Sequence, residues 1–513
     1  MTKHSLIGGA IILTIASFIT RILGFIYRIY MSRLIGAEGM GLFQLIFPIY
    51  MLGYTLSSSG ISVAVSKLVA EENAKRNPAN ARKILRLSLL VAVGIAWIFM
   101  MIVLLKAQQI STYILKDTRT TLALGILGLS VPFMAAASML KGYFYGLQEM
   151  DKPAVAQVFE QLMRMITIYL IADWFIPKGI TYACAMAAIG MTVGEFISFS
   201  YTYICYKQYQ KKQDSFKQKF SSLTTKKGLY AILAIAMPIT LNRGFSSILQ
   251  SIETIMLPTR LQLFGYSYAE TIGLYGQFSG MAMPLIFFPS ILTTSLAMTL
   301  IPTISEAKAI KNTRQIQYST SKSLQIASLI GMGAACLFIL FSHSLGKLIY
   351  RQEEVGTILY SLSWLCPFLY FQQTLSGVLN GLGEQIASFR HTISGALLRM
   401  TMIYFIVPLL GLQGLIWSLL VSTIWVTGLH LKRVLQKTHL TFDLSNWILK
   451  PILASIGAAF ITQPIQKHFI MLHFPFEFSI ILSIAFLGII YLLMIIALGC
   501  FSKEDINKIR KNL

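Results

Sequence analysis

The chain has 513 residues, of which 55% are hydrophobic and only 12% charged, and it carries a formal net charge of +23. The charged share is about half that of a soluble domain. Apolar runs recur along the whole length with no long polar stretch between them, which excludes a soluble enzyme and a folded basic face for nucleic acid.

In chain order, fourteen apolar runs approach the roughly 20 residues needed to span a bilayer as helices. They cover residues 6–30, 42–65, 87–105, 122–145, 156–175, 182–206, 229–256, 272–301, 324–345, 357–379, 392–409, 412–431, 447–463 and 478–499. The first is too long for a signal peptide and lacks a small-residue cleavage site. It carries Arg21 and Arg28, two turns apart on one face, with Gly24 between them. The fifth holds Glu160 and Arg164 at i,i+4, which reads as a structural ion pair. Glu195 is mid-way along the sixth, and Asn242, Arg243 and Glu253 follow Pro238 in the seventh. The eleventh and twelfth, parted only near Leu410-Gly411, predict a tight hairpin.

Alternate connections are basic. Lys75–Arg86, Lys207–Lys227, Lys308–Lys322, Lys432–Lys437 and the tail Lys503–Lys511 are rich in Lys and Arg, while Asp173–Lys178 and Thr462–Glu477 are poor in them. The positive-inside rule then places both termini in the cytoplasm, and the excess charge also suits anionic membrane lipids.

The chain repeats itself at an offset of 235 residues (367 − 132 = 235). Between 132–171 and 367–406, thirteen positions are identical without a gap, including Pro132/Pro367, Gly142/Gly377, Gly146/Gly381, Glu149/Glu384 and Arg164/Arg399. The same offset pairs Asn77 with Asn312, and Ala37-Glu38-x-x-Gly41-Leu42 recurs as Ala269-Glu270-x-x-Gly273-Leu274 at offset 232. Six spans per copy return the chain in the same orientation. The expected fold is therefore an all-α integral membrane protein with about 14 transmembrane helices. Two parallel six-helix lobes enclose a central cavity, and two helices are added at the C-terminus. The lobes are residues 1–206 and 229–431, joined by a basic cytoplasmic linker at 207–228, with the last two spans and a basic tail in 432–513.

Ionisable groups at bilayer depth are costly and face a cavity or each other. Arg21 and Arg243 lack an acidic neighbour at i±3 or i±4, and a guanidinium grips phosphate in two-point fashion, so with Arg28 and Asn242 they are the candidate substrate-binding residues. Glu195 and Glu253 are candidates for binding a coupling ion, H+ or Na+; a hydrogen-bonded structural carboxyl is the alternative. The five cysteines have neither paired nor metal-ligand spacing. No Walker loop, nucleophile elbow or His-rich metal motif is present, so neither an enzyme nor a cofactor is expected.

Thr20-Arg21-Ile22-Leu23-Gly24-Phe25, Arg33-Leu34-Ile35-Gly36-Ala37-Glu38-x-x-Gly41-Leu42, Ser66-Lys67-Leu68-Val69-Ala70-Glu71 and Gln157-Val158-x-Glu160-Gln161-x-x-Arg164 together resemble the stage V sporulation protein B family. That family groups with the MurJ-like lipid-linked oligosaccharide flippases of the multidrug/oligosaccharidyl-lipid/polysaccharide superfamily. The resemblance covers nearly the whole chain. It implies alternating access and an undecaprenyl-pyrophosphate-linked cell-wall precursor as cargo, with cell-wall synthases as partners in the bacterial cytoplasmic membrane. It also implies that Arg21 lines the cavity and that the spans beginning near Ile448 and Phe478 hold the lipid tail. MurJ-like relatives carry further cavity arginines in the second and eighth spans. Leu42–Val65 and Ile272–Ile301 contain no basic residue, which favours the sporulation branch. A cation-coupled multidrug exporter of the same superfamily is the alternative, with acidic residues dominating its cavity. A membrane-embedded glycosyltransferase ranks last, because no loop is long enough for a catalytic domain.

Overall fold

The computed structural model describes residues 6–214, 223–471 and 475–500, and among these the chain is built of helices without strands. The middle of the expected linker, with Lys217 and Lys219, and the basic tail from Lys503 lie outside the described residues. Sixteen α-helices run α1 (Leu6–Tyr54), α2 (Gly60–Ala74), α3 (Pro78–Gln109), α4 (Thr121–Gly146), α5 (Asp151–Phe175), α6 (Ile180–Asp214), α7 (Thr225–Phe264), α8 (Tyr268–Tyr275), α9 (Met283–Phe287), α10 (Ser290–Ala309), α11 (Thr313–Leu345), α12 (Glu353–Ser363), α13 (Cys366–Gly381), α14 (Gln385–Thr438), α15 (Lys450–Met471) and α16 (Phe476–Ala497).

Among the described residues, ten helical runs are long and apolar enough to cross a bilayer, or eleven when the bent pair Tyr268–Phe287 and Ser290–Ala309 counts as one. Two of the ten far exceed one crossing. Ile12–Ala74 has 63 residues and Gln385–Thr438 has 54, about 95 and 80 Å of helix at 1.5 Å per residue, against a hydrocarbon core of about 30 Å. Each run breaks at a glycine in the left-handed region, Gly36 (φ 68°) in α1 and Gly411 (φ 56°) in α14. At Gly411 the chain folds back on itself: Trp425 Nε1 donates to Ser394 Oγ at 3.2 Å across the two arms. The hairpin predicted near Leu410-Gly411 is thus made without a loop, by one residue that tolerates positive φ.

The 235-residue offset is also a packing register. In α4, a Cβ on Gly142 would lie 2.8 Å from the Ser62 carbonyl oxygen, and one on Gly146 2.6 Å from that of Ser66. In α13, a Cβ on Gly377 would lie 2.7 Å from that of Ala297, and one on Gly381 3.1 Å from that of Ile301. Each contacted residue is the offset partner of its counterpart. Lipid gives apolar helices no hydrophobic reason to associate, so association rests on close backbone approach at small residues. The caps recur too. Asn77 accepts from the Asn80 amide at the start of α3, and Asn312 from the Gln315 amide at the start of α11. Both α4 and α13 end in a left-handed turn, at Gln148 (φ 63°) and Gly383 (φ 75°).

Gly142→Leu and Gly377→Leu should each lower stability by about 1–3 kcal/mol through overpacking. Gly94→Leu, where a Cβ meets nothing within 4 Å, should be nearly neutral. Unfolding of the three variants in detergent micelles checks this, and equal behaviour of all three would contradict it.

The chain divides into two compact units. One is 1–259 with 267–276, and the other is 260–266 with 277–513. The repeat groups α7 with the second copy, whereas its residues up to Thr259 belong to the first unit. Contacts explain this: Thr55 Oγ1 lies 3.0 Å from Ser247 Oγ, and Gly60 leaves no room for a Cβ against Ala236 and Thr240. In the second unit a core of Leu300, Ile304, Leu375, Val378, Leu379, Val434 and Trp447 ties α10, α13 and α14 to the turn before α15.

Candidate functional site

Four helices of the first unit bring a buried ionic cluster together. Glu160 on α5 is held twice, by Lys141 Nζ of α4 at 3.2 Å and by Arg164 Nη2 one turn along α5 at 3.1 Å. Arg164 Nη1 also reaches Gln161 Oε1 at 3.5 Å. Glu195 on α6 is 7% exposed and accepts from the Tyr50 hydroxyl of α1 at 2.7 Å. Arg164 also lies within electrostatic reach of Glu195, Tyr27 and Tyr50. Arg164 Nε, the Tyr27 hydroxyl and Gln161 Nε2 are buried without a hydrogen-bond partner.

With both acids ionised the cluster is neutral: Lys141 and Arg164 against Glu160 and Glu195. Such balance matters because an unpaired charge at this depth costs several kcal/mol. A proton or small cation entering the cluster changes its charge by one. The second copy does not reproduce this. At the offset positions stand Ser376, Gly395 and His430, and only Arg399 repeats. The Lys141–Glu160–Arg164–Glu195 cluster is therefore confined to the first copy.

The remaining sequence candidates lie elsewhere. Arg21 is exposed on an otherwise apolar stretch of α1, and Arg28 on the same helix is half-buried. Asn242 and Arg243 are exposed on α7, and Glu253 is half-buried. Arg243 Nη1 donates to the Ser59 carbonyl oxygen at 3.3 Å, at the π-helical turn Thr55–Ser59. Turns of this kind shift the hydrogen-bond register by one residue and recur at functional sites. One donor of five is engaged there, which leaves most of the guanidinium fork for a ligand.

A second cluster was not anticipated. Arg119, in the turn before α4, pairs with Glu38 of α1 at 2.6 Å and Asp117 at 2.8 Å, and its guanidinium carbon lies 5.8 Å from the Tyr268 ring centre at the start of α8. Beside it α1 and α8 cross with almost no gap. Gly41 against Ile272 and Gly276 against Ala37 have no space for a Cβ. Lys141 was missed as well, although it is the lone basic residue of its span. The signal was available in the contrast with Ser376.

Residues 6–308 match the family model described as polysaccharide biosynthesis protein, more than half of the 513-residue chain. The chain belongs to the polysaccharide biosynthesis protein family. Residues 279–405 of this family member also match the MatE model. Stage V sporulation protein B of Bacillus subtilis (strain 168) is 28% identical over 514 residues, covering 99% of this chain and 98% of that protein. A solved structure of lipid II flippase MurJ in an inward closed conformation aligns with TM-score 0.71 at 16% identity, over 94% of this chain and 98% of that one. An inward-facing multidrug resistance MATE family transporter aligns with TM-score 0.67 at 15% identity, covering 82% and 96%. The chain is thus a multi-pass membrane protein with the fold of the multidrug/oligosaccharidyl-lipid/polysaccharide superfamily, and the proteins it is similar to include a lipid II flippase and a multidrug transporter.

Proposed function

We propose that this protein is a flippase that moves an undecaprenyl-pyrophosphate-linked cell-wall precursor, similar to lipid II and destined for spore cortex peptidoglycan, from the cytoplasmic to the outer leaflet. The observation that carries the reading is the pair of exposed arginines, Arg21 and Arg243, on membrane-length helices of a chain similar end to end to stage V sporulation protein B. A pyrophosphate head group needs guanidinium partners on its path, while the prenyl tail stays in lipid.

This reading takes fourteen crossings, counting the folded runs Ile12–Ala74 and Gln385–Thr438 twice each and adding Tyr268–Ala309 and Glu353–Gly381 to the ten. Both termini are then cytoplasmic. Two six-helix lobes face a central cavity, and α15 with α16 shelters the tail. The cluster Lys141–Glu160–Arg164–Glu195 takes up the coupling H+ or Na+, with Glu195 as its acceptor. The Gly41–Gly276 crossing and the Arg119 cluster form the outer closure that must part for release. No covalent chemistry and no cofactor are required.

The MatE match over 279–405 favours a second reading, a cation-coupled multidrug exporter. Reconstitution separates the two. Proteoliposomes holding the purified protein should flip a fluorescent undecaprenyl-pyrophosphate-linked saccharide. Arg21→Ala and Arg243→Ala should each slow flipping at least about tenfold, the worth of one charge-assisted contact. Flipping unaffected by both substitutions, or ion-driven dye transport in its place, would overturn the flippase reading.

A further inference from the structure

The second unit contains a cavity of about 420 Å³ that the proposed transport path does not use, lined by Gly383, Glu384, Ile386, Ala387, Arg390, His391 and Arg433. It sits where α13 turns into α14, against the last turns of α14. In the orientation expected from the basic loops, this end faces the cytoplasmic leaflet.

Its electrostatics are those of an anion site. Glu384 is the one acid in the wall, and its two oxygens are already engaged. Arg433 donates to Oε2 at 3.0 and 2.6 Å, and Lys437 pairs with Oε1 at 2.8 Å. Those contacts with Lys437 and Arg433 hold the Glu384 carboxyl below the usual carboxylate range. Two consequences follow. Among the described residues Arg390, exposed in the wall, pairs with no carboxylate. Glu384 also stands at the N-cap of α14 yet makes no side-chain cap, because its carboxylate is turned to the basic residues. The first-turn amides of α14, including those of the lining residues Ile386 and Ala387, therefore keep their donors for a ligand. The matching place in the first copy has different side chains. There Glu149 pairs with Lys152 from the next turn, and Val155 stands at the position of Arg390.

We infer that this cavity binds a phosphate group, with the Arg390 and Arg433 guanidiniums and the first-turn amides of α14 as donors. The phosphate can come from the head group of an anionic inner-leaflet lipid or from a soluble phosphate. The volume accepts a glycerophosphate-sized group, and the surrounding charge favours one that is anionic over one that is zwitterionic.

The full-length protein in a neutral maltoside detergent, titrated by microscale thermophoresis, provides the test. Dihexanoyl phosphatidylglycerol should bind saturably and dihexanoyl phosphatidylcholine much more weakly. Arg390→Gln should weaken the phosphatidylglycerol interaction at least about tenfold, as expected for one charged hydrogen-bond donor. Ala387→Trp, which fills the cavity, should abolish it, both variants retaining the wild-type unfolding midpoint. Competition by inorganic phosphate would assign the site to soluble phosphate, and its absence to a lipid head group. Equal binding of both lipids, or phosphatidylglycerol binding indifferent to both substitutions, would overturn the inference.

Discussion

Glu160→Gln should destabilise the protein by about 3–5 kcal/mol, the cost of breaking a buried ion pair and leaving its partners uncompensated. Glu160 takes two cations, Lys141 at 3.2 Å and Arg164 at 3.1 Å, with side-chain exposures of only 15–19% across the three. Without its charge the cluster holds two cations against Glu195 alone, with little water to screen the excess. A compensating change separates charge balance from lost packing. Lys141→Met in the Glu160→Gln background removes one surplus cation and should recover part of the loss, although each single substitution destabilises. Unfolding driven by sodium dodecyl sulfate in mixed micelles measures all three. A Glu160→Gln variant as stable as the parent would show that the ionic cluster is not what joins α4 to α5.

Gly276→Leu should block transport while leaving the protein folded. The close α1–α8 crossing requires a bare backbone at Gly41 and Gly276, and a leucine there cannot be accommodated without several ångströms of separation. The crossing would then be held apart. Thr271 offers a direct readout, since it is fully buried at 0% exposure beside Ile272. A Thr271→Cys reporter should resist a membrane-impermeant maleimide in the parent and react readily in the Gly276→Leu background. Complementation of a strain lacking its flippase should fall by at least about tenfold, a barrier change of roughly 1.4 kcal/mol. Unchanged labelling together with full complementation would contradict the closure.

How far the fold could be read from the chain depended on the distance over which its causes act. Repetition was local and visible. Asn77 and Asn312 recur because both start a helix, and Gly142 and Gly377 recur because both press on a backbone 80 residues upstream (142 − 62 = 80; 377 − 297 = 80). The break at Gly411 was legible as a gap between two apolar runs. The site was less so. Glu160–Arg164 lies within one turn and could be found by spacing, but Lys141 reaches Glu160 from another helix, Tyr50 meets Glu195 across 145 residues, and Arg119 meets Glu38 across 81. No periodicity encodes such meetings. The placement of α7 differs for a related reason. The offset records which segments share an origin, whereas Gly60, Ser247 and Arg243 decide which helices touch.

The cell itself offers the most direct measurement of the central claim. Cells depleted of this protein should accumulate the undecaprenyl-pyrophosphate-linked precursor in the cytoplasmic leaflet, where an enzyme supplied from outside cannot reach it. Re-expression should return the precursor to the outer leaflet, and Arg21→Ala should not. Unchanged precursor in both leaflets after depletion, accompanied by a loss of dye efflux, would contradict the flippase account and leave the drug exporter in its place.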